Sequence, residues 1–297
     1  MVRAHERRRL APLPARLRGF SLVLAPTAVD YLSMPKGKAS IQPRILAVAA
    51  VAAVLLAGPV AARSRDENWS QCKDANDPDL KINACTELIQ SGQETTTNLA
   101  IAFNSRGNAY TDKGQYDRAI QEYDQAIKLN SKYATPYYNR GIAHYALGQF
   151  EDAAADFEQN LALDSANNAS TSWLKLDAAY AYSVIWRHLA CGIMDADDGE
   201  ELKRNAAWVE YDKWPGPIVA LYLDQTTIEQ VRAAAKQGST EARANQNCEA
   251  AFYLGEYELL RKSSSTAKTL LQEAVNTCPK SFVEYVGAVA ELERLGH

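Results

Sequence analysis

Histidine is scarce in this chain of 297 residues. There are four, and two of them, His5 and His297, stand at the ends. His144 and His188 are left as candidate bases or ligands. The five cysteines form no CxxC pair, and the chain has no HExxH, GxSxG, P-loop or dinucleotide-binding glycine motif. No metal site, cofactor or intrinsic enzyme activity is therefore expected, since a catalytic site would have to be assembled from residues far apart in the chain. Long apolar runs are missing too. The one candidate, Ile45 to Gly58, is too short to span a bilayer comfortably.

Positive charge is unevenly spread. Residues 1–62 hold nine lysines and arginines against Glu6 and Asp30, a net of +7, while the remaining 235 residues hold 23 basic and 34 acidic side chains, a net of −11. An acidic body lacks the cationic surface that non-specific nucleic-acid binding requires. From Met34 the chain reads as a secretory leader. Lys36, Lys38 and Arg44 form a basic n-region, Ile45 to Gly58 an apolar h-region, and Val60-Ala61-Ala62 the small residues for cleavage before Arg63. Residues 34–62 are thus expected to be a signal peptide and the mature protein to be periplasmic, with an uncleaved membrane anchor as the less favoured alternative. Residues 1–33, rich in arginine and dotted with proline, are expected to be an extension upstream of the true start at Met34. No cysteine follows the h-region, so no lipid anchor is expected.

What is present is a period. Between residues 100 and 167 two stretches of 34 residues lie in register. Gly107 recurs as Gly141, Gly114 as Gly148, Tyr116 as Phe150, Ala119 as Ala153 and Tyr123 as Phe157, and Arg106-Gly107 returns as Arg140-Gly141. Period and residue types resemble tetratricopeptide (TPR) repeats, each a helix–turn–helix. A glycine inside a helix costs about 1 kcal/mol relative to alanine, which is reasonable where another helix crosses close to it. Ala119 and Tyr123, four apart, share one helical face, and Gly114 and Gly148 suit turns that need a positive φ. The predicted fold is all-α, a TPR superhelix of antiparallel helix pairs.

The flanking segments extend that plan. Residues 63–99 read as leading degenerate helices, with a turn over Asp74–Pro78 and an amphipathic helix over Leu80–Gln90. Residues 168–246 read as worn helical repeats. They comprise a helix over Ser170–Cys191, its aromatic residues directed to the core, and an acidic helix start over Asp195–Glu201, read as solvated rather than as a calcium site. A short helix is expected from Pro217, and another after a capping box formed by Thr227 and Gln230. Residues 247–297 read as a further repeat, with Gly255, Ala267, Leu271 and Ala274 at repeat positions, closed by a helix over Phe282–Leu295. That repeat puts Cys248 and Cys278 at neighbouring ends of a helix pair, where a disulfide fits. Cys72 and Cys85 could pair likewise, leaving Cys191; buried free thiols are the alternative.

Three further blocks carry a closer resemblance. They are Trp186-Arg-His-Leu-Ala190, the Trp214–Leu223 stretch with Thr226–Gln230, and Phe252–Glu256 with Phe282–Tyr285 and Ala290–Leu292. With the repeats, they make nearly the whole mature chain similar to the NlpI-type TPR proteins of the bacterial envelope. That resemblance implies an all-helical adaptor without chemistry of its own, often a homodimer, that holds a periplasmic protease together with peptidoglycan hydrolases. The lipidation cysteine of the family's best-known member is missing. A general periplasmic chaperone or assembly factor that binds extended peptides is the alternative.

First helices of TPR repeats line a concave groove. Here the groove positions are Ile101, Asn104, Asn108, Thr111 and Asp112 in the first repeat, and Thr135, Tyr138, Asn139, Ile142 and Tyr145 in the second. The asparagine amides offer donor and acceptor to a peptide backbone, and the tyrosines are stiff, large contact residues. Asn104 stands where a lysine would be needed to grip a terminal carboxylate, so that mode is not expected.

Overall fold

The computed structural model describes residues 63–167 and 178–296. The expected extension and leader over 1–62, residues 170–177 of the expected helix Ser170–Cys191, and His297 lie outside the described residues. Among the described residues there are thirteen helices and no strand.

The leading pair is α1 (Arg65–Asp74) and α2 (Pro78–Gln90). Ser64 and Glu67 close a capping box on α1, and Asp77 caps α2 with Pro78 in its first turn. A disulfide joins Cys72 to Cys85 across the pair. The Glu94 carboxylate beyond α2 accepts hydrogen bonds from Arg65, Trp69 and Asn98. The Arg65 guanidinium holds it below the usual carboxylate range.

Two full repeats follow. The first is α3 (Thr96–Asp112) with α4 (Tyr116–Leu129); the second is α5 (Ala134–Ala146) with α6 (Phe150–Asn167). Gly114 and Gly148 sit in the interhelical turns with φ of 66° and 73°. Within each repeat a ring lies flat against a glycine of the partner helix. A Cβ on Gly107 would stand 2.5 Å from the Tyr123 ring, and one on Gly141 2.9 Å from the Phe157 ring. Both rings are buried. The arginine that precedes each glycine also has a reason to recur. Arg106 forks onto Glu122, and Arg140 onto Asp156, each sixteen residues ahead on the facing helix. Such paired, planar bonds fix helix register as well as proximity.

The chain then departs from regular repeats. α7 (Ala178–Ile193) packs on α6 and runs through Gly192, one residue past the glycine expected to end it. α8 (Gly199–Ala206) starts after Asp198, and a cis Trp214–Pro215 bond precedes α9 (Gly216–Tyr222). Thr227 and Gln230 form the expected capping box on α10 (Ile228–Ala234). That helix opens at Ile228, directly after the capping threonine.

The pattern returns in α11 (Thr240–Leu260) and α12 (Ser264–Thr277). A Cβ on Gly255 would lie 2.9 Å from Leu271, again sixteen residues on. A disulfide joins Cys248 to Cys278. The closing helix α13 (Val283–Arg294) packs on α12 and α11 and also reaches α5. The main core therefore runs from α5 and α6 through α7 into α11 and α13.

Two outcomes test this packing. Gly141→Ala gains helix propensity but forces the Phe157 ring aside, so chemical denaturation should show a net loss of about 1–2 kcal/mol. Replacing Cys248 and Cys278 together by serine should lower unfolding stability by about 3 kcal/mol, as expected for a bridge across 30 residues of chain.

Candidate functional site

The groove positions expected on the first helices of the repeats, α3 and α5, divide into an open and a closed part. Thr135 and Asp112 are exposed, while Ile101, Asn108, Thr111, Tyr138 and Asn139 are half-buried. Asn104, Ile142 and Tyr145, expected on an open groove, are instead enclosed, at 5%, 4% and 2% exposure. For Ile142 and Tyr145 the cause is the chain's own C-terminal part, since α13 lies against α5 and the last turns of α5 are covered, whereas Asn104 on α3 is bonded by Asn139 of the neighbouring repeat.

The open part carries a ladder of amides. Asn139 Nδ2 on α5 donates to Asn104 Oδ1 and Asn108 Oδ1 on α3, both at 3.0 Å. The Tyr123 hydroxyl donates to Asn108 Oδ1 at 2.9 Å and lies 3.0 Å from the Thr111 hydroxyl. The polar residues predicted to meet a peptide are thus brought together, but they first satisfy one another and tie the two repeats. A peptide would have to use the remaining capacity of Asn108, Asn139 and Thr111, beside Ile101, Thr135 and Asp112.

The closed part is aromatic and acidic. Tyr145 stands edge-on to Trp186 of α7 and to Phe150 of α6, with centroids 4.9 and 5.2 Å apart. Its hydroxyl lies 3.5 Å from Glu256 of α11 and 3.4 Å from Glu291 of α13. Arg294 bonds Glu291 and sits over the Phe150 ring. Glu256 Oε1 is buried without a hydrogen-bond partner. A second acidic node lies beside it. The Tyr253 hydroxyl donates to Glu284 of α13 at 2.7 Å, and Tyr182 and Trp214 both donate to Glu249 of α11. Burial, with Glu249 nearby, pushes the Glu284 carboxyl up to about 7. Burial likewise raises Glu249, Glu256 and Glu291. The Tyr138 hydroxyl is raised by burial and by the Glu284 and Glu249 charges. None of the four glutamates was given a role from the sequence, although Glu256, Glu284 and Glu291 lie within the blocks that carry the resemblance.

The histidines are engaged in packing and bracing. His188 Nδ1 lies 2.8 Å from Asp198 Oδ1, its ring edge-on to Tyr222, and Arg187 beside it bonds Asp198 and Glu201. This cluster ties α7 to the start of α8. The acidic stretch over Asp195–Glu201 is thereby partly a counter-charge for Arg187, and Asp198 is buried, not solvated as expected. His144 Nδ1 meets Gln149 at 2.6 Å across the turn into α6. Cys191 is a buried free thiol whose pKa burial raises. Among the described residues no group of three or more His, Cys, Asp or Glu could hold a metal, and no helix is long and apolar enough to cross a membrane.

Comparison with protein families finds similarity to a model described as TPR repeat over residues 107–148 and to one described as Tetratricopeptide repeat over residues 134–167. The two matches overlap the helices α3 to α6, where glycine, ring and arginine recur. The chain carries TPR repeats in an all-α solenoid of helix pairs, the architecture of a protein-interaction scaffold.

Proposed function

We propose that this protein is an exported adaptor of the NlpI type. It binds partner proteins through the open part of its concave face and brings a periplasmic protease to peptidoglycan hydrolases, without chemistry of its own. The observation that carries this reading is the layout of the three blocks behind the resemblance. They supply Trp186, Trp214, Phe252, Glu256 and Glu284, the residues that close one end of the groove and leave the amide ladder at the other. The two disulfides support an oxidising compartment, and on this reading cleavage leaves Arg63 as the mature N-terminus.

Affinity purification of residues 63–297 from a cross-linked envelope fraction tests the proposal. A protease together with a cell-wall hydrolase is the expected result, and deletion of the gene should stabilise that hydrolase. Thr135→Arg should weaken partner binding by roughly tenfold, about 1.4 kcal/mol, while leaving stability unchanged, because Thr135 is exposed. Unchanged hydrolase levels with no protease recovered would overturn the adaptor reading. A scatter of unrelated exported proteins would show a general chaperone, and recovery of the chain alone would show that self-association occupies this face.

A further inference from the structure

The closed part of the groove has an unusual composition for an interface inside one chain. Four glutamates converge where α13 and α11 meet α5 and α7: Glu249 and Glu256 from α11, Glu284 and Glu291 from α13. All four are less than 9% exposed. At one node the charged and titratable groups are Glu256, Glu291 and Arg294, faced by Tyr145 of α5 and Tyr222 of α9. Arg294 bonds Glu291, so one cation serves two carboxyl groups, and Glu256 keeps an oxygen with no partner. At the other node Glu249 and Glu284 are faced by Tyr253 of α11, Tyr182 of α7, Tyr138 of α5 and the Trp214 indole N–H. Among the described residues no basic side chain forms an ion pair with either. The flanks of α13 add only Glu293 near Tyr116 of α4, and Lys268 of α12 donating to the Gly296 carbonyl.

We propose that α13 is a pH-gated latch on α5: it stays seated while the glutamates at its junction with α11, two from each helix, are protonated, and lifts as they ionise. Ionised, the four glutamates would place like charges together out of water with a single arginine among them, an arrangement that burial strongly disfavours. Protonated, Glu249 and Glu284 keep the tyrosine and tryptophan hydrogen bonds already in place, and the Tyr145 hydroxyl donates to one of Glu256 and Glu291. The sign follows from linkage. Groups whose folded pKa lies above the unfolded value stabilise the seated state fully below the ordinary carboxyl value of 4.5, and that contribution is lost as pH rises through the folded value, about 7 for Glu284. Lifting α13 frees the side of Tyr145 that Glu291 meets, extending the partner-binding face toward the end of α5.

The test needs no partner, so its outcome is independent of the adaptor reading. Amide hydrogen exchange of the full mature protein is followed at pH 5 and pH 8, with each rate corrected for intrinsic exchange. Protection of Val283–Arg294 should fall by about tenfold or more at the higher pH, since each unit of pKa shift is worth a factor of ten, while α3 and α4 hold theirs. In the double variant Glu256→Gln, Glu284→Gln, which mimics the protonated pair, α13 should stay protected at both pH values. Equal protection of α13 at pH 5 and 8 in the wild type overturns the latch. So does a loss shared equally by α3 and α4, or a pH dependence unchanged in the double variant. If that variant does not fold, the wild-type comparison of α13 with α3 and α4 decides alone.

Discussion

The indole of Trp186 is the contact on which the joined structure depends. It is 1% exposed and touches rings from both halves of the chain: Tyr145 and Phe157 from the second repeat, Phe252 and Tyr253 from α11. The closing helix meets it too, since a Cβ on Gly287 of α13 would lie 3.2 Å from the Trp186 ring. Aromatic residues of this size bury roughly 150–250 Å² each and favour edge-on or offset-stacked geometries, and Trp186 is edge-on to Tyr145 and Tyr253 and near-parallel to Phe157 and Phe252. Helix pairs such as α3–α4 need only their neighbours, as repeat arrays do. What turns a row of pairs into one core is the indole wedged where α5, α6, α7, α11 and α13 converge.

That convergence explains why the groove is only partly a groove. A solenoid leaves its first helices facing open space, and α3 keeps more of that state, with Asp112 exposed and Ile101, Asn108 and Thr111 half-buried. α5 keeps less, because α7 brings Trp186 to the end of α5 and so provides an apolar seat for α11 and α13. The seat is imperfectly apolar. A well-packed aliphatic interface of equal volume would usually be no less stable than one carrying buried carboxyl groups, and Glu256 keeps an oxygen without a partner. Polarity of this kind suits a surface that meets protein in one state and water in another.

The helix pairs could be read from the chain because their determinants are local. The ring of Tyr123 finds Gly107 sixteen residues away, and the same spacing serves Phe157 and Leu271; the capping box at Thr227 and the turns at Gly114 and Gly148 lie within a few residues. The groove positions could be grouped on one face of α3 and α5 by period alone. Their surroundings could not be read that way. Tyr145 meets Glu291 across 146 residues of sequence, and no local pattern records such a contact. The recurrence of arginine before glycine was visible, but its meaning, an ion pair to Glu122 or Asp156, required the facing helix. For the same reason nothing local in the chain marks Glu249, Glu256, Glu284 or Glu291 as buried.

The size of the open face bears on how partners are held. α3 has 17 residues and so spans about 25 Å, but only the first half of α5 lies open beside it. Its asparagines already bond one another, and a peptide gains only the difference between new hydrogen bonds and those it displaces, of order 1 kcal/mol apiece. A stable interface usually covers about 800 Å² on each partner. One polar strip of this length is short of that, so a firmly held partner must also use surface beyond the two repeats. The covered end of α5 is continuous with the strip, and its Ile142 and Tyr145 would add to the little apolar and aromatic surface, Ile101 and Tyr138, that the strip offers.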